Sequence, residues 1–319
     1  MIRRVYHLLL HAQPKSRESA GLLINNLAGA GGDEAIVELA KDEQLIKAML
    51  CRLDSEDSLE LQRITSAFNH ISRSRASSWA LRKLRVQEGL VRLLSQTRYR
   101  QEEAWMGLAT MALANLQGDD GAAYFSANPD TLPHLVEFLR CAVDQIKLNG
   151  IYFRVYDVLY SLSHLCRNAM NHAVLSDSGL VGVLCHIVSE WRPGLFEWNY
   201  TAQKCGTHPV LEAATDALYH LCESEGCRLL MQDAGIEQVC ERFLVTEESV
   251  VQEYAAKVLW RVRDRQTAQC EPFMLTNAHG GIYRICRSRS KSNGIYVHIP
   301  LEFLKKSVDI LAVMIKTVQ

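Results

Sequence analysis

Six polar residues recur at one place in a repeating pattern of this 319-residue chain: Asn26, His70, Asn115, His164, His220 and Arg261. Each is followed directly by Leu, Ile or Val, and successive members lie 44, 45, 49, 56 and 41 residues apart. Asn carries both a donor and an acceptor, and neutral His does the same. A row of such groups can pair with the amides of an extended peptide, whose desolvation is otherwise costly. That is recognition chemistry. A second grouping, Cys205, His208, His220 and Cys222, has the donor types of a zinc site if the intervening loop folds back. Its spacing matches no paired zinc knuckle. Buried thiols and hydrogen-bonded imidazoles are therefore expected there, with no metal and no cofactor.

The elements that must position the six are helices rich in Leu and Ala. They read Ser19-Ala-Gly-Leu-Leu-Ile-Asn-Asn26-Leu27, Arg63-Ile-Thr-Ser-Ala-Phe-Asn-His70-Ile71 and Ala109-Thr-Met-Ala-Leu-Ala-Asn115-Leu116. Later copies are Asp157-Val-Leu-Tyr-Ser-Leu-Ser-His164-Leu165, Ala214-Thr-Asp-Ala-Leu-Tyr-His220-Leu221 and Ala255-Ala-Lys-Val-Leu-Trp-Arg261-Val262. Between them a second helix opens near Leu45, Gly89, Leu132, Gly179, Gly235 and Gly281, usually after an acid, Ser or Asn that can cap it. The Gly allows a tight turn between a short helix and a longer one. This period belongs to three-helix repeats, in which each unit covers the apolar face of its neighbour.

These segments resemble armadillo repeats, above all Ser19-Ala-Gly-Leu-Leu-Ile-Asn-Asn-Leu27 and Met231-Gln-Asp-Ala-Gly-Ile236, over about residues 18–288. The resemblance implies an all-α fold, a right-handed superhelix (α-solenoid) of about six repeats in one domain. Residues 1–17 form its N-terminal cap, with 1–13 read as one helix; residues 295–319 form a C-terminal cap whose helix opens at Pro300. In the family, a ladder Asn on the concave groove holds an extended ligand, and Asn26 and Asn115 match it. The other four repeats depart, with His three times and Arg once. Armadillo nuclear-import receptors also carry a Trp four residues earlier that clamps basic side chains. Those places hold Leu22, Ser66, Met111, Tyr160, Asp216 and Lys257, of which only Tyr160 is aromatic. The resemblance stops short of a nuclear-localisation-signal receptor.

Two copies are longer than the rest. From Gly179 to Leu221 there are 42 residues, against 27 from Gly89 to Leu116 and from Gly235 to Val262. The added loop, 189–209, carries Trp191, Phe196, Trp198 and Tyr200, which suit either a contact hot spot or a plug folded back on the repeats. A smaller insertion runs from Gln145 to Phe153.

Composition narrows the function classes. Apolar residues make up 48% and charged residues 22%, and the net charge of −1 argues against general nucleic-acid binding. Charge is zoned, with eight Arg/Lys against Glu88 in 73–100 and ten Asp/Glu against two Arg in 212–253. Such zoning can steer a charged partner. No stretch has the length and apolarity of a membrane span, so no membrane insertion is expected. Ten scattered cysteines read as reduced thiols of a cytoplasmic or nuclear protein. Ser-Arg-Ser-Arg at 72–75 and Ser-Arg-Ser-Lys at 288–291 read as exposed runs that phosphate would recharge. No phosphate-binding Gly-rich motif or nucleophile elbow is present, so the chain is not read as an enzyme. The expected function is a protein-interaction scaffold or adaptor. Its groove would hold a partner protein or extended peptide through Asn26, His70, Asn115, Tyr160, His164, His220 and Arg261, with Trp191, Phe196, Trp198 and Tyr200 adding specificity. The alternatives are a chaperone-like repeat domain cradling a folded client, and a metal-binding or catalytic protein using the Cys205/His208/His220/Cys222 cluster. An open repeat end leaves homo-oligomerisation available.

Overall fold

Leu61, Ile64, Phe68 and Ile71 recur at three- and four-residue steps and are wholly buried, whereas Gln62, Arg63, Ser66 and His70 between them are not. That pattern makes the segment Ser58–Ile71 an amphipathic helix with one face in the core and one face outward. The same logic builds the rest of the chain. The computed structural model describes residues 5–11, 13–30, 32–96, 104–116, 124–148, 150–192, 195–196, 208–246, 249–263, 273–276, 282–287 and 295–298. They fall into two compact units, 1–230 and 231–319.

The first unit contains α1 (Val5–Leu9), α2 (Pro14–Ala30), α3 (Gly32–Lys41), α4 (Glu43–Cys51), α5 (Ser58–Ile71), α6 (Arg75–Lys83) and α7 (Val86–Leu94). It continues through α8 (Ala104–Asn115), α9 (Thr131–Val143), α10 (Val155–Cys166), α11 (His172–Asp177), α12 (Leu180–Glu190) and α13 (Pro209–Leu221). The third helices of the repeats, α2, α5, α8, α10 and α13, each pack on the next. The shorter helices lie alongside, with α3 on α6, α7 on α8, α9 on α10 and α12 on α13. The architecture is an all-α solenoid. Helix α8 is apolar almost all round, and every residue except Met106 is buried. A helix of that composition must sit at the centre of its layer.

Local signals explain where several helices begin. The Asp42 carboxylate accepts from the Leu45 amide at 3.1 Å, and Asp57 accepts from the amides of Leu59 and Glu60 at 2.9 and 3.2 Å. Gly179 and Gly235 have φ of +80° and +70° and open α12 and α15 (Ile236–Leu244) in the left-handed region, as their place in the repeat requires. Gly89 departs from that expectation. It lies inside α7, and Arg85, with φ of 59°, makes the left-handed turn instead. A Cβ at Gly89 would meet Leu50 Cδ2 at 2.7 Å, so this glycine serves close helix approach.

Helix α14 (Glu225–Asp233) crosses from the first unit into the second. In the second unit α15 packs on α16 (Ser249–Arg263), and Arg263 reaches Glu237 at 2.6 Å and Glu241 at 2.5 Å. The sixth Gly-opened segment is not helical where the repeat pattern expects a helix. Phe273–Thr276, Ile282–Arg287 and Ile295–His298 form an antiparallel sheet in the order β1-β2-β3. The local composition accounts for this: Ile282-Tyr-Arg-Ile and Ile295-Tyr-Val are rich in β-branched and aromatic residues, which favour strands. Residues 295–298, read as the start of the C-terminal cap, belong to β3; the remainder of that cap, 299–319, lies outside the described residues. At the other end α1 covers 5–9, and its buried Val5 and Leu9 face α2 and α4.

A buried ion cluster fastens α4 to α5. Glu60, 5% exposed, receives Arg52 Nε and Nη2 at 2.7 Å each and the Ser55 hydroxyl at 2.6 Å, with Arg17 Nε 3.5 Å away. Burial alone would raise the Glu60 pKa. The Arg52 and Ser55 hydrogen bonds and the charges of Arg52 and Arg17 outweigh it and hold the group below its ordinary value of 4.5. The unfolded chain therefore binds the proton more readily, so this contribution is complete above pH 4.5 and disappears as pH falls through the depressed folded value. Glu60→Gln should cost about 2 kcal/mol at neutral pH. Urea midpoints of wild type and variant should differ at pH 7 and converge near pH ~3; an equal gap at both would contradict the assignment.

Candidate binding groove

The outward stripe of α5 does not face open solvent. Gln62, Arg63, Ser66, Asn69 and His70 line a cavity of about 430 Å³, with Asn25, Asn26, Gly29 and Ala30 of α2 on one side. Leu108 and Met111 of α8, Asp157 of α10 and the segment Ile151–Arg154 complete it. The third helices α2, α5, α8 and α10 thus border one cavity, with polar side chains from α2, α5 and α10 and the apolar Leu108 and Met111 from α8. Asn25 Oδ1 is buried there with no hydrogen-bond partner among the described residues. An unpaired buried acceptor is costly and calls for a donor.

The insertion from Gln145 to Phe153, met in the sequence only as extra length, supplies the fourth wall through its last residues, Ile151, Tyr152 and Phe153. Leu148 and Ile151 exchange backbone hydrogen bonds of 3.0 and 3.2 Å across a turn in which Gly150 has φ of +83°. The dipeptide Asn149-Gly150 between apolar residues is the sequence signal for such a hairpin. The hairpin is anchored by Phe153, 8% exposed, whose ring stacks on Phe138 at 4.9 Å with 6° between planes. Phe138 in turn fills space that Gly107 leaves open, since a Cβ there would lie 2.0 Å from its ring. Ile146 and Tyr152 stand exposed on the hairpin, and Lys147 Nζ lies 5.1 Å from the Tyr152 ring.

Charge converges where the hairpin meets the helices. Asp157 receives Arg154 Nε at 2.8 Å and Arg73 Nη1 at 2.5 Å. Arg154 Nη2 lies 3.3 Å from His70 Nδ1. Guanidinium can only donate, so His70 Nδ1 accepts and the ring proton sits on Nε2. The Tyr160 hydroxyl donates to the Arg73 carbonyl at 2.6 Å, closing the cluster on α10. Further along, Arg167 Nη2 reaches Asp216 at 3.1 Å, and His220 Nε2 lies 3.6 Å from the same carboxylate.

The residues named from sequence separate into different environments. Asn26 is exposed and His70 half-buried, and both line the cavity. Asn115 is a correction. At 5% exposure its Nδ2 donates to Asn69 Oδ1 and Ser72 Oγ at 3.1 Å each, and its Oδ1 accepts from Ser161 at 2.8 Å. It ties helices together because central α8 leaves it no outward face. Ser72 is correspondingly buried rather than an exposed phosphate acceptor, and 288–291 lies outside the described residues. Tyr160 and His164 are half-buried, with ring centroids 4.6 Å apart. Burial depresses the His164 pKa, although Nδ1 lies 2.9 Å from the Tyr160 carbonyl; the neutral ring therefore donates from Nδ1 and leaves Nε2 as an acceptor. Arg261 belongs to the second unit, half-buried with its guanidinium 5.3 Å from the Trp260 ring. Trp191, 8% exposed, packs edge-on against His208 at 4.9 Å. Phe196 is half-buried with φ of 66°, and Trp198, Tyr200 and Cys205 lie outside the described residues. Among the described residues no three His, Cys, Asp or Glu side chains gather as a metal site. Six of the seven cysteines whose side chains are described are buried, and burial pushes the Cys185 thiol up to about 12. Sequence reasoning missed Asn25, Arg73, Arg154 and Asp157; only the Asn-Gly turn signalled the wall that carries one of them.

No protein-family model matches the chain, and no curated protein does. Solved structures do. A designed armadillo repeat protein superposes with a TM-score of 0.54 over 82% of this chain and 100% of its own, at 16% identity. An engineered protein gives 0.54 over 82% of this chain and 58% of its own, at 19% identity. A designed armadillo repeat protein in complex with the peptide (KR)4 gives 0.50 over 82% and 99%, at 16% identity. The fold is an armadillo-type repeat fold. No single helix among the described residues is long and apolar enough to cross a membrane.

The charge cluster makes unequal demands on its members. Asp157→Asn leaves two guanidinium groups without their carboxylate and should cost about 3 kcal/mol. Arg154→Gln leaves the Arg73–Asp157 pair intact, and the half-exposed Arg154 should cost about 1 kcal/mol or less. Urea unfolding of the two variants checks the order; a reversed order would remove Asp157 from the centre of the cluster.

Proposed function

We propose that this chain is a non-catalytic scaffold or adaptor that holds an extended segment of a partner protein in the groove of its third helices. The observation that carries the reading is the cavity of about 430 Å³, in which Asn26 and His70 sit at ladder positions and Asn25 Oδ1 has no donor among the described residues. A peptide backbone N–H supplies such a donor, and an extended chain can reach successive helices in turn. The likeness to a designed armadillo repeat protein that carries a peptide supports the mode of binding, not the charge of the ligand. Tyr160, His164 and His220 continue the polar row. A folded client cradled by shape remains the second reading, favoured by the exposed Ile146 and Tyr152 at the hairpin. A cytoplasmic or nuclear setting fits the reduced, buried thiols.

Selection of a displayed library of random dodecapeptides tests the proposal. Enriched peptides should bind wild type and lose about tenfold or more in affinity when Asn25, Asn26 and His70 are all replaced by Ala, since each lost hydrogen bond costs about 1 kcal/mol. Peptides held equally well by this triple variant, with its helical content intact, would move binding out of the groove.

A further inference from the structure

We infer that the cavity takes an anionic side chain beside Arg154, so that the segment held in the groove is acidic. This rests on the groove reading above and adds to it the charge of the partner.

The cluster at the hairpin has two cations for one anion. Arg73 and Arg154 both bind Asp157, and Asp157 is the one acidic residue among those lining the cavity. Arg73 is only 10% exposed, whereas Arg154 keeps 31% exposure on the cavity wall. Arg154 spends Nε on Asp157 and one Nη2 position on His70; its Nη1 donors have no partner among the described residues. A guanidinium carries five N–H groups in a planar fork suited to carboxylate or phosphate, so the unspent donors form a ready anion contact. The second guanidinium on the wall, Arg63, is balanced by Glu18 at 3.0 Å and leaves the surplus at Arg154 uncancelled. Around it stand the amides of Asn25, Asn26 and Gln62 and the hydroxyl of Ser66, which can donate to or accept from a peptide but bring no negative charge. A Lys or Arg side chain entering here would meet Arg154 and find Asp157 already covered on both sides. A carboxylate or phosphate would meet a cation in a partly enclosed site, where charge-assisted hydrogen bonds are roughly twice as strong as neutral ones.

Fluorescence anisotropy with labelled nonapeptides of the form (Ala-Ser-X)3, with X as Glu, Gln, Lys or phosphoserine, tests this. The Glu probe should bind about tenfold tighter than the Gln probe, with the Lys probe weakest. Arg154→Gln should bring Glu to within about twofold of Gln, while Arg154→Lys, which keeps the charge, should retain the preference. Either anionic probe leading supports the site, and their order says whether carboxylate or phosphate is the natural source. Equal binding of Glu, Gln and Lys would leave the groove standing and remove the anion site. A Glu preference that survives Arg154→Gln, in a variant with wild-type thermal unfolding, would also overturn it. Binding of none of the probes would remove both.

Discussion

The amide of Asn115 sits at the end of a helix that offers it no water. All of α8 except Met106 is buried, so a polar group at its end must find its partners inside the protein or destabilise it by the full cost of desolvation, about 1–3 kcal/mol. It finds them on both sides. Ser161 of α10 donates to it, and it donates to Asn69 of α5 and to Ser72 just beyond that helix. Apolar surfaces tolerate sliding and rotation, whereas this relay is satisfied in one register only. Three consecutive third helices are thereby fixed in rotation about their axes.

That fixed rotation decides what the groove presents. Gln62, Ser66 and His70 lie four apart on one face of α5 and border the cavity, with Asn69 at its inner edge. With Ser161 turned inward, Asp157 one turn earlier is brought to the cavity wall, where Arg73 from the end of α5 and Arg154 from the hairpin meet it. The hairpin is held independently, through Phe153 stacked on Phe138 and Phe138 seated over Gly107. A site with amides, one imidazole and a surplus guanidinium follows from these packing choices.

The repeat itself was legible because it rests on composition. Leu and Ala at three- and four-residue steps, recurring every 41 to 56 residues, admit few architectures other than a helical solenoid. Rotational detail was less legible. Asn26 and Asn115 look alike in the chain, yet one is exposed and the other buried, and the difference arises from how many neighbours surround each helix. Gly89 misled for a related reason, since a glycine needed for close packing reads the same as one needed for a turn. The Arg73–Asp157–Arg154 cluster joins residues 84 apart, a relation no local pattern records. In the second unit, a short run of β-branched and aromatic residues overrode the expectation carried by the repeat count.

The central claim is that binding occurs on the concave face built by α2, α5, α10 and the hairpin. Amide hydrogen exchange on the full chain, with and without a library-selected peptide at saturation, addresses it most directly. Binding there should slow exchange in the second half of α2, in α5, across residues 148–154 and in the first turn of α10. Slowing confined to helices outside this set, such as α6 or α12, would place the partner elsewhere and contradict the account.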